Sequence, residues 1–181
     1  MDFCYGSRDG LLWTVLDKIF ELNLKFETTE EAIRQRVNFL RERGIGICDM
    51  VESSRREKID ASDLGMQEVE LRDMISILRE YPKIDRLLFT GGNSKNGPEY
   101  FFRRHLRELE EDIRLKIVSN EVPRVHQFIL DGRLINTVSL TAPSGSANRA
   151  IGSMELYKYL KQKDPDFNTI DFRVMQYREW L

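Results

Sequence analysis

Residues 140–149 constrain the fold of this chain more than any other stretch. An apolar, β-rich run ends at Pro143, small polar residues follow, and a helix is predicted to begin near Asn148. Pro143 fixes its own φ and has no N–H group, while Gly145 can adopt backbone angles that other residues avoid. These residues predict a tight, exposed loop after a strand, at the edge where open α/β sheets bind their ligands. Considered alone, they are explained equally well as an ordinary strand-to-helix turn.

Short apolar segments alternate with predicted helices along most of the chain. Those predicted as strands are 45–50, 86–90, 125–130 and 133–140. Asp131-Gly132, between the last two segments, is a strong signal for a hairpin turn. Short, continuous apolar strands between helices predict an α/β layer fold with a largely parallel sheet.

Polar and helical segments complete this pattern. Residues 52–65 are polar and basic and are predicted as a long loop. One helix is predicted for 68–81, and another begins at Pro98, because proline is favoured at the first helical position. The chain has 181 residues, of which 41% are hydrophobic and 32% are charged, so we expect one soluble domain spanning residues 1–181.

Composition and missing motifs argue against several classes of function. Cys4 and Cys48 are far apart, which favours a reducing cytoplasm and argues against a zinc or iron–sulfur site. No segment has the roughly 20 apolar residues that cross a bilayer. No nucleotide-binding or serine-hydrolase motif is present. Neither a metal nor another cofactor is predicted. His105 and His126 have no evident nucleophile as partner and are interpreted as structural or surface residues. The net charge of −2 leaves a DNA partner open, because a repair enzyme needs only one basic face.

The N-terminal turn, residues 5–10, combines an aromatic ring with a carboxylate. Tyr5 could stack on a base, and Asp9 could polarise a water molecule. Asp9 also stands just before Leu11, where it would cap the first helix. The capping interpretation explains Asp9 equally well.

Another group of candidates follows the predicted strand 45–50. Asp49 precedes Ser53 and Arg55 in a basic segment, and hydroxyl and guanidinium groups suit contacts with phosphate, which give position rather than sequence information. A solvated, charged loop is the preferred interpretation of this segment when it is considered alone. Because both segments follow strand ends, we expect it to share an edge of the sheet with residues 143–149.

Three segments occur in an order and spacing that indicate a family likeness. They are Tyr5-Gly6-Ser7-Arg8-Asp9-Gly10 with Trp13, then Asp49 with Ser53, Arg55 and Arg56, and last Pro143-Ser144-Gly145-Ser146-Ala147-Asn148-Arg149. Together they resemble the uracil-DNA glycosylase superfamily, closest to its mismatch-specific and hypoxanthine-type branches, along nearly the whole chain. The resemblance implies a three-layer α/β/α sandwich with a short, mostly parallel central sheet. It also implies that the N-glycosidic bond of a deaminated or modified base, flipped out of DNA, is hydrolysed without a metal.

The resemblance suggests a role for each segment. Asp9 is the best candidate to orient the attacking water. The residues expected to line the base pocket are Tyr5, Gly6, Asp49 and Ser53. Those expected to hold the DNA strand, in part through its minor groove, are Arg8, Arg55, Ser144, Gly145, Ser146, Asn148 and Arg149. The expected protein is therefore a cytoplasmic monomer whose partner is DNA and not a membrane.

Two features depart from the superfamily pattern. A Gly-x-x-Pro-like turn after a central strand does not occur before the N-terminal turn, so we expect the chain to be incomplete, because the neighbours of a lost central strand would have unpaired backbone groups. Related branches carry a catalytic asparagine where this chain has Gly10. These departures leave open a member of the superfamily that binds nucleic acid without cutting it. A more remote alternative is a structural α/β domain with solvated basic loops.

Overall fold

The protein is described by a computed structural model that covers residues 3–6, 10–56, 65–92 and 94–181. The chain forms two compact units. The first unit comprises Met1–Cys48 and Pro143–Leu181, and the second unit comprises Asp49–Ala142. The presence of one glycosylase-like domain over the whole chain stays a prediction. None of the described helices is long and apolar enough to cross a membrane.

Helices and strands are mixed along the described part of the chain. The α-helices are α1 (Leu12–Phe20), α2 (Glu30–Arg43), α3 (Met74–Glu80), α4 (Pro98–Glu108), α5 (Asn148–Ser153), α6 (Glu155–Lys163) and α7 (Thr169–Arg178). The strands are β1 (Val51–Arg56), β2 (Met66–Leu71), β3 (Arg86–Phe89), β4 (Lys116–Ser119), β5 (Arg124–Leu130) and β6 (Arg133–Ser139). The predicted α/β class is therefore confirmed.

The helix ends of the first unit follow from local sequence. Thr29 caps α2 by accepting a hydrogen bond from Ala32 N at 3.2 Å. Gly44 ends the same helix with a φ of 63°, a left-handed angle that favours glycine. Asn168 and Asp171 form a reciprocal capping box at the start of α7.

The core of the first unit includes one face of α1 and one face of α7, which pack against each other. The buried apolar side chains of these two helices are Leu12, Trp13, Val15, Leu16, Phe172 and Tyr177. Burying a side chain such as leucine or phenylalanine contributes about 1.5–3 kcal/mol, so this contact is a large part of what holds α7 in place.

The second unit contains a four-stranded sheet with the strand order β3-β6-β5-β4. β3 runs parallel to β6, whereas β5 pairs antiparallel with both β6 and β4. The expectation of a mostly parallel sheet is therefore wrong for the described strands. The physical reason is the turn at Asp131-Gly132, whose φ angles of 49° and 79° close a tight hairpin and make β5 and β6 antiparallel. The hairpin itself is confirmed.

Aromatic side chains organise the core of the second unit. Phe102, on α4, has its ring centroid 5.2 Å from that of Phe89 and 5.7 Å from that of Phe128. Met74, Ile75 and Leu78 of α3 bury their side chains in the same cluster. Pro98 opens α4, as the sequence predicts.

Three predictions fail around the second, smaller sheet, in which β1 pairs antiparallel with β2. Residues 45–50 are not a strand; the first strand is Val51–Arg56, and all of it except Val51 falls in the predicted loop 52–65. The predicted helix 68–81 starts only at Met74, because the residues before it belong to β2. A strand forms where its backbone N–H and C=O groups find a hydrogen-bonded neighbour, and β1 and β2 are such neighbours for each other.

Candidate nucleic-acid interface

Residues 143–149, which we call the strand-to-helix loop, follow β6 in the chain and lead into α5. Ser144 is extended, Gly145–Ala147 form one turn of 3₁₀ helix, and α5 begins at Asn148. Pro143 is buried, whereas the exposed residues of the loop are Gly145, Ser146, Asn148 and Arg149. The small residues expected to face DNA therefore lie at the surface of the first unit.

Gly145 is not required by the backbone conformation of the loop. The glycines with positive φ in the described chain are Gly44 and Gly132, and Gly145 is not among them. A Cβ atom built on Gly145 would have no described atom within 4 Å. What this glycine provides is a stretch of backbone with no side chain over it, which another molecule can approach closely.

Backbone contacts fasten the loop to the start of α1. Leu11 N donates a hydrogen bond to Pro143 O at 2.9 Å, and Gly10 forms an antiparallel bridge with Ser144. The N-terminal segment and the strand-to-helix loop, which are far apart in sequence, are therefore neighbours within the first unit.

The two serines of the loop form a hydroxyl pair. Ser144 Oγ and Ser146 Oγ are 2.9 Å apart, and either can be the donor. Because each hydroxyl carries one proton, the pair uses one proton internally and leaves the other for an outside acceptor. A phosphate oxygen is an acceptor of this kind.

Arg173, on α7, holds the loop from inside the unit and is not among the residues predicted from the sequence. Its side chain is fully buried. The guanidinium donates to Ser144 O at 2.8 Å, to Asn148 Oδ1 at 3.0 Å and to Thr169 O at 3.0 Å. Burial lowers the pKa of Arg173, but a guanidinium keeps its charge in proteins, so these are charge-assisted hydrogen bonds.

Tyr5 lies in a tight turn fastened to α1. Gly6 N donates to Phe3 O at 2.8 Å, and Trp13 Nε1 donates to Cys4 O at 2.9 Å. The φ of Tyr5 is 54°, in the left-handed region that residues other than glycine rarely adopt. A similar φ occurs at Glu21, Asn23, Glu68, Asn96 and Asp131, so by itself this angle indicates a tight turn.

Tyr177, also on α7, connects the turn of Tyr5 with the anchor of the loop. The Tyr177 side chain is buried, and burial raises the pKa of its hydroxyl. Nearby Tyr5 raises this pKa further, and Arg173 lowers it. The structure therefore groups Tyr5 with Tyr177 and Arg173, and through Arg173 with Ser144 and Asn148. Their i, i+4 spacing places Arg173 and Tyr177 on one face of α7, the only sequence signal that could have revealed them.

Two of the predicted site residues, Arg8 and Asp9, lie outside the described residues. The catalytic role of Asp9 therefore stays a prediction, as does contact of Arg8 with DNA. Gly6, expected to line the base pocket, is half-buried in the turn of Tyr5.

The remaining predicted site residues belong to the second unit. Asp49 is exposed just before β1. Ser53 Oγ donates to Glu70 at 2.9 Å, and Arg55 faces Glu68 at 3.4 Å, with both side chains 71% exposed. An exposed ion pair of this kind contributes about 0–1 kcal/mol, so a phosphate group can compete for Arg55. A shared edge between these residues and the strand-to-helix loop stays a prediction.

A buried carboxylate, Glu99 in the first turn of α4, lies beside the last residue of β6. It accepts hydrogen bonds from Ser139 Oγ at 2.7 Å and Arg103 Nε at 2.9 Å, and also from Arg124. Burial raises the pKa of Glu99, but these donors together outweigh it, so the pKa lies below its ordinary value. A carboxylate held as an anion by several donors is a poor proton acceptor, so Glu99 is a structural group.

His126 is buried beside the same cluster. Its Nε2 atom lies 2.7 Å from Arg103. Burial lowers the pKa of His126, and the charge of Arg103 lowers it further. Because arginine only donates, Nε2 must accept and the imidazole is neutral. The structural interpretation of His126 therefore agrees with its surroundings.

Comparison with family models, curated proteins and solved structures found no match to this chain. Within the described residues, no group of three or more His, Cys, Asp and Glu side chains could hold a metal ion.

Proposed function

We propose that the protein is a monofunctional DNA glycosylase that hydrolyses the N-glycosidic bond of a deaminated or modified base, as in base excision repair. The observation that carries this proposal is the exposed strand-to-helix loop, held from inside by the buried guanidinium of Arg173. A surface loop of small residues with a fixed backbone is suited to binding a sugar-phosphate strand at close range.

The loop supplies the groups that would grip the strand. The spare hydroxyl proton of the pair Ser144 and Ser146 would donate to a phosphate oxygen. Arg149, which is exposed at the start of α5, would bind a neighbouring phosphate or enter the minor groove. Gly145 would let the strand approach the backbone.

Tyr5 is the proposed stacking platform for the flipped base. Its ring belongs to a turn that is tied to Trp13 and lies near Tyr177. Stacking on an aromatic ring contributes about 1–3 kcal/mol per base and accepts any base, so selectivity must come from elsewhere in the pocket.

Hydrolysis of the N-glycosidic bond requires few groups from the protein. The bond between the base nitrogen and C1′ breaks, the base leaves with the bonding electrons, and C1′ gains positive character. A water oxygen then bonds to C1′ and loses a proton, which we assign to the carboxylate of Asp9; that proton finally neutralises the departed base. Oriented donors around the leaving base stabilise the transition state, and no metal is needed.

The proposal includes the finer features that the resemblance implies. These are a three-layer α/β/α sandwich, a monomeric state and a cytoplasmic location. The α/β class and the parallel pairing of β3 with β6 support the layer arrangement. DNA is the only partner proposed.

The test is release of free base from duplexes that contain uracil, hypoxanthine, xanthine or mismatched thymine. Asp9→Ala should lower the single-turnover rate on the preferred base by roughly 100-fold or more, a usual contribution of general acid–base groups. Asp85→Ala is the matched control, because Asp85 is an exposed carboxylate of the second unit. Equal rates for wild type and Asp9→Ala would refute the assignment of Asp9.

One observation favours a second candidate, a nucleic-acid-binding protein that no longer cuts. Gly10 occupies the place of a catalytic asparagine in related branches and is engaged through its backbone, as a bridge to Ser144. In this case none of the duplexes would lose a base, while salt-dependent duplex binding would remain. Absence of binding at low salt would exclude both candidates.

A further inference from the structure

We propose that Arg173 is a positioning residue, which sets the conformation of the strand-to-helix loop in which it binds DNA. The consequence for DNA rests on the proposed function, whereas the effect on the loop itself does not. Arg173 lies on α7, which follows α5 and α6 in the chain, so it is distant in sequence from the loop that it contacts.

The guanidinium closes the 3₁₀ turn by binding both of its ends. Ser144, whose carbonyl accepts at 2.8 Å, precedes the turn, and Asn148, whose Oδ1 accepts at 3.0 Å, follows it. A third hydrogen bond, to Thr169 O, ties the same guanidinium to the first residue of α7. The turn is therefore held by a helix that itself packs against α1.

Arginine is the residue type that this geometry needs. Its planar fork holds donors at fixed angles, so one side chain can bind two acceptors on either side of a turn. A lysine ammonium keeps the charge but lacks the fork. Arg173→Lys therefore removes the geometry while it preserves the electrostatics.

Asn148, whose contact with DNA stays a prediction, also takes part in holding the loop. Its amide oxygen is occupied by Arg173, so this atom serves the conformation of the loop rather than the DNA. Asn148→Asp keeps an acceptor for Arg173, with a stronger charge-assisted bond, whereas Asn148→Ala removes the acceptor. The two substitutions are thus a matched pair for the loop.

The experiment is residue-resolved hydrogen exchange on the free protein, followed by binding to a fluorescent duplex. Within the turn, Ala147 N donates to Ser144 O and Asn148 N donates to Gly145 O. Both amides should exchange about tenfold faster in Arg173→Lys and in Asn148→Ala, because a hydrogen bond to a charged group is lost. Asn148→Asp should exchange at the wild-type rate.

Arg178→Ala is the control for α7, because Arg178 is exposed near the end of this helix. It should change neither exchange nor binding. In Arg173→Lys, duplex affinity should fall by about tenfold, and the turn amides should lose more protection than the core amides, whose faster exchange reports only the stability lost with the unpaired buried acceptors. A purely structural role would instead reduce the protection of turn amides and core amides by the same factor.

The outcomes separate the two proposals. Exchange of the turn amides that stays within about twofold of wild type in both Arg173→Lys and Asn148→Ala would overturn the positioning role. If Arg173→Lys fails to fold, the comparison of Asn148→Ala with Asn148→Asp decides alone. A loosened loop with undiminished duplex affinity would also overturn the role in DNA binding. Wild-type protein that binds no duplex would refute the proposed function and leave the effect on the loop still measurable.

Discussion

Replacing Gly145 by alanine separates what the strand-to-helix loop does for folding from what it does for DNA. A Cβ at Gly145 has no described atom within 4 Å, and the residue lies in a helical turn without positive φ. Gly152, in α5, shares each of these properties and is the matched control. The difference is position, because only Gly145 lies in the surface proposed to meet the strand.

Both substitutions should leave the fold intact and stabilise it slightly. Glycine loses more backbone entropy on folding than alanine, so each change should raise the free energy of unfolding by about 0.4–1 kcal/mol. For a chain of 181 residues this corresponds to a rise in melting temperature of about 1–4 °C. Thermal unfolding followed by circular dichroism measures this effect in both variants.

DNA affinity should respond to only one of the two substitutions. The added methyl group at Gly145 prevents a phosphate from approaching the backbone closely. The complex then loses about one charge-assisted hydrogen bond, or roughly 1.5–3 kcal/mol of binding free energy. Duplex affinity should therefore fall by about tenfold or more in Gly145→Ala and remain unchanged in Gly152→Ala. Fluorescence anisotropy with a labelled duplex is the assay. Equal affinities in the two variants would refute the placement of DNA at this loop, and a loss of stability in Gly145→Ala would refute the account of its backbone.

Two further predictions follow from charged residues. Arg149→Ala should reduce the slope of log affinity against log salt by about 0.9, the value for one phosphate contact on duplex DNA. Arg41 is an exposed arginine of α2, so Arg41→Ala should leave the slope unchanged. Equal slopes for the two variants would argue against a phosphate contact at Arg149. Glu99→Gln should cost about 3 kcal/mol of unfolding free energy near neutral pH, because Arg103 and Arg124 lose their shared carboxylate. Because the pKa of Glu99 is lowered in the folded state, its contribution is present above the unfolded value and is lost as pH falls through the folded value. Urea unfolding from about pH 7 to about pH 3 should show that the difference in unfolding free energy between wild type and Glu99→Gln decreases as the pH falls. A difference that does not depend on pH would contradict this prediction.

Features that depend on neighbouring residues could be predicted from the sequence. Pro98 opens α4, and Asp131-Gly132 turns the hairpin with both φ angles positive. Gly44 ends α2 for the same kind of reason. In each case the residue type restricts its own backbone, so no distant partner is needed to decide the outcome.

Strand pairing was decided by tertiary structure. Residues 45–50 are apolar enough for a strand but do not pair as one, whereas the polar residues of Val51–Arg56 pair with Met66–Leu71. The direction of β5 likewise follows from its hairpin partner rather than from its own apolar composition. A strand depends on hydrogen bonds to a neighbouring strand, and the sequence of one segment does not determine which neighbour it pairs with.

The candidate site divides in the same way. From the sequence alone, the proline and small residues of 143–149 predicted a short loop leading into a helix, and the structure has that loop with its small residues exposed. Only the fold brings Arg173 and Tyr177 of the last helix to this loop and to Tyr5. A buried guanidinium needs oxygen acceptors from several parts of the chain, and packing alone determines which segments supply them.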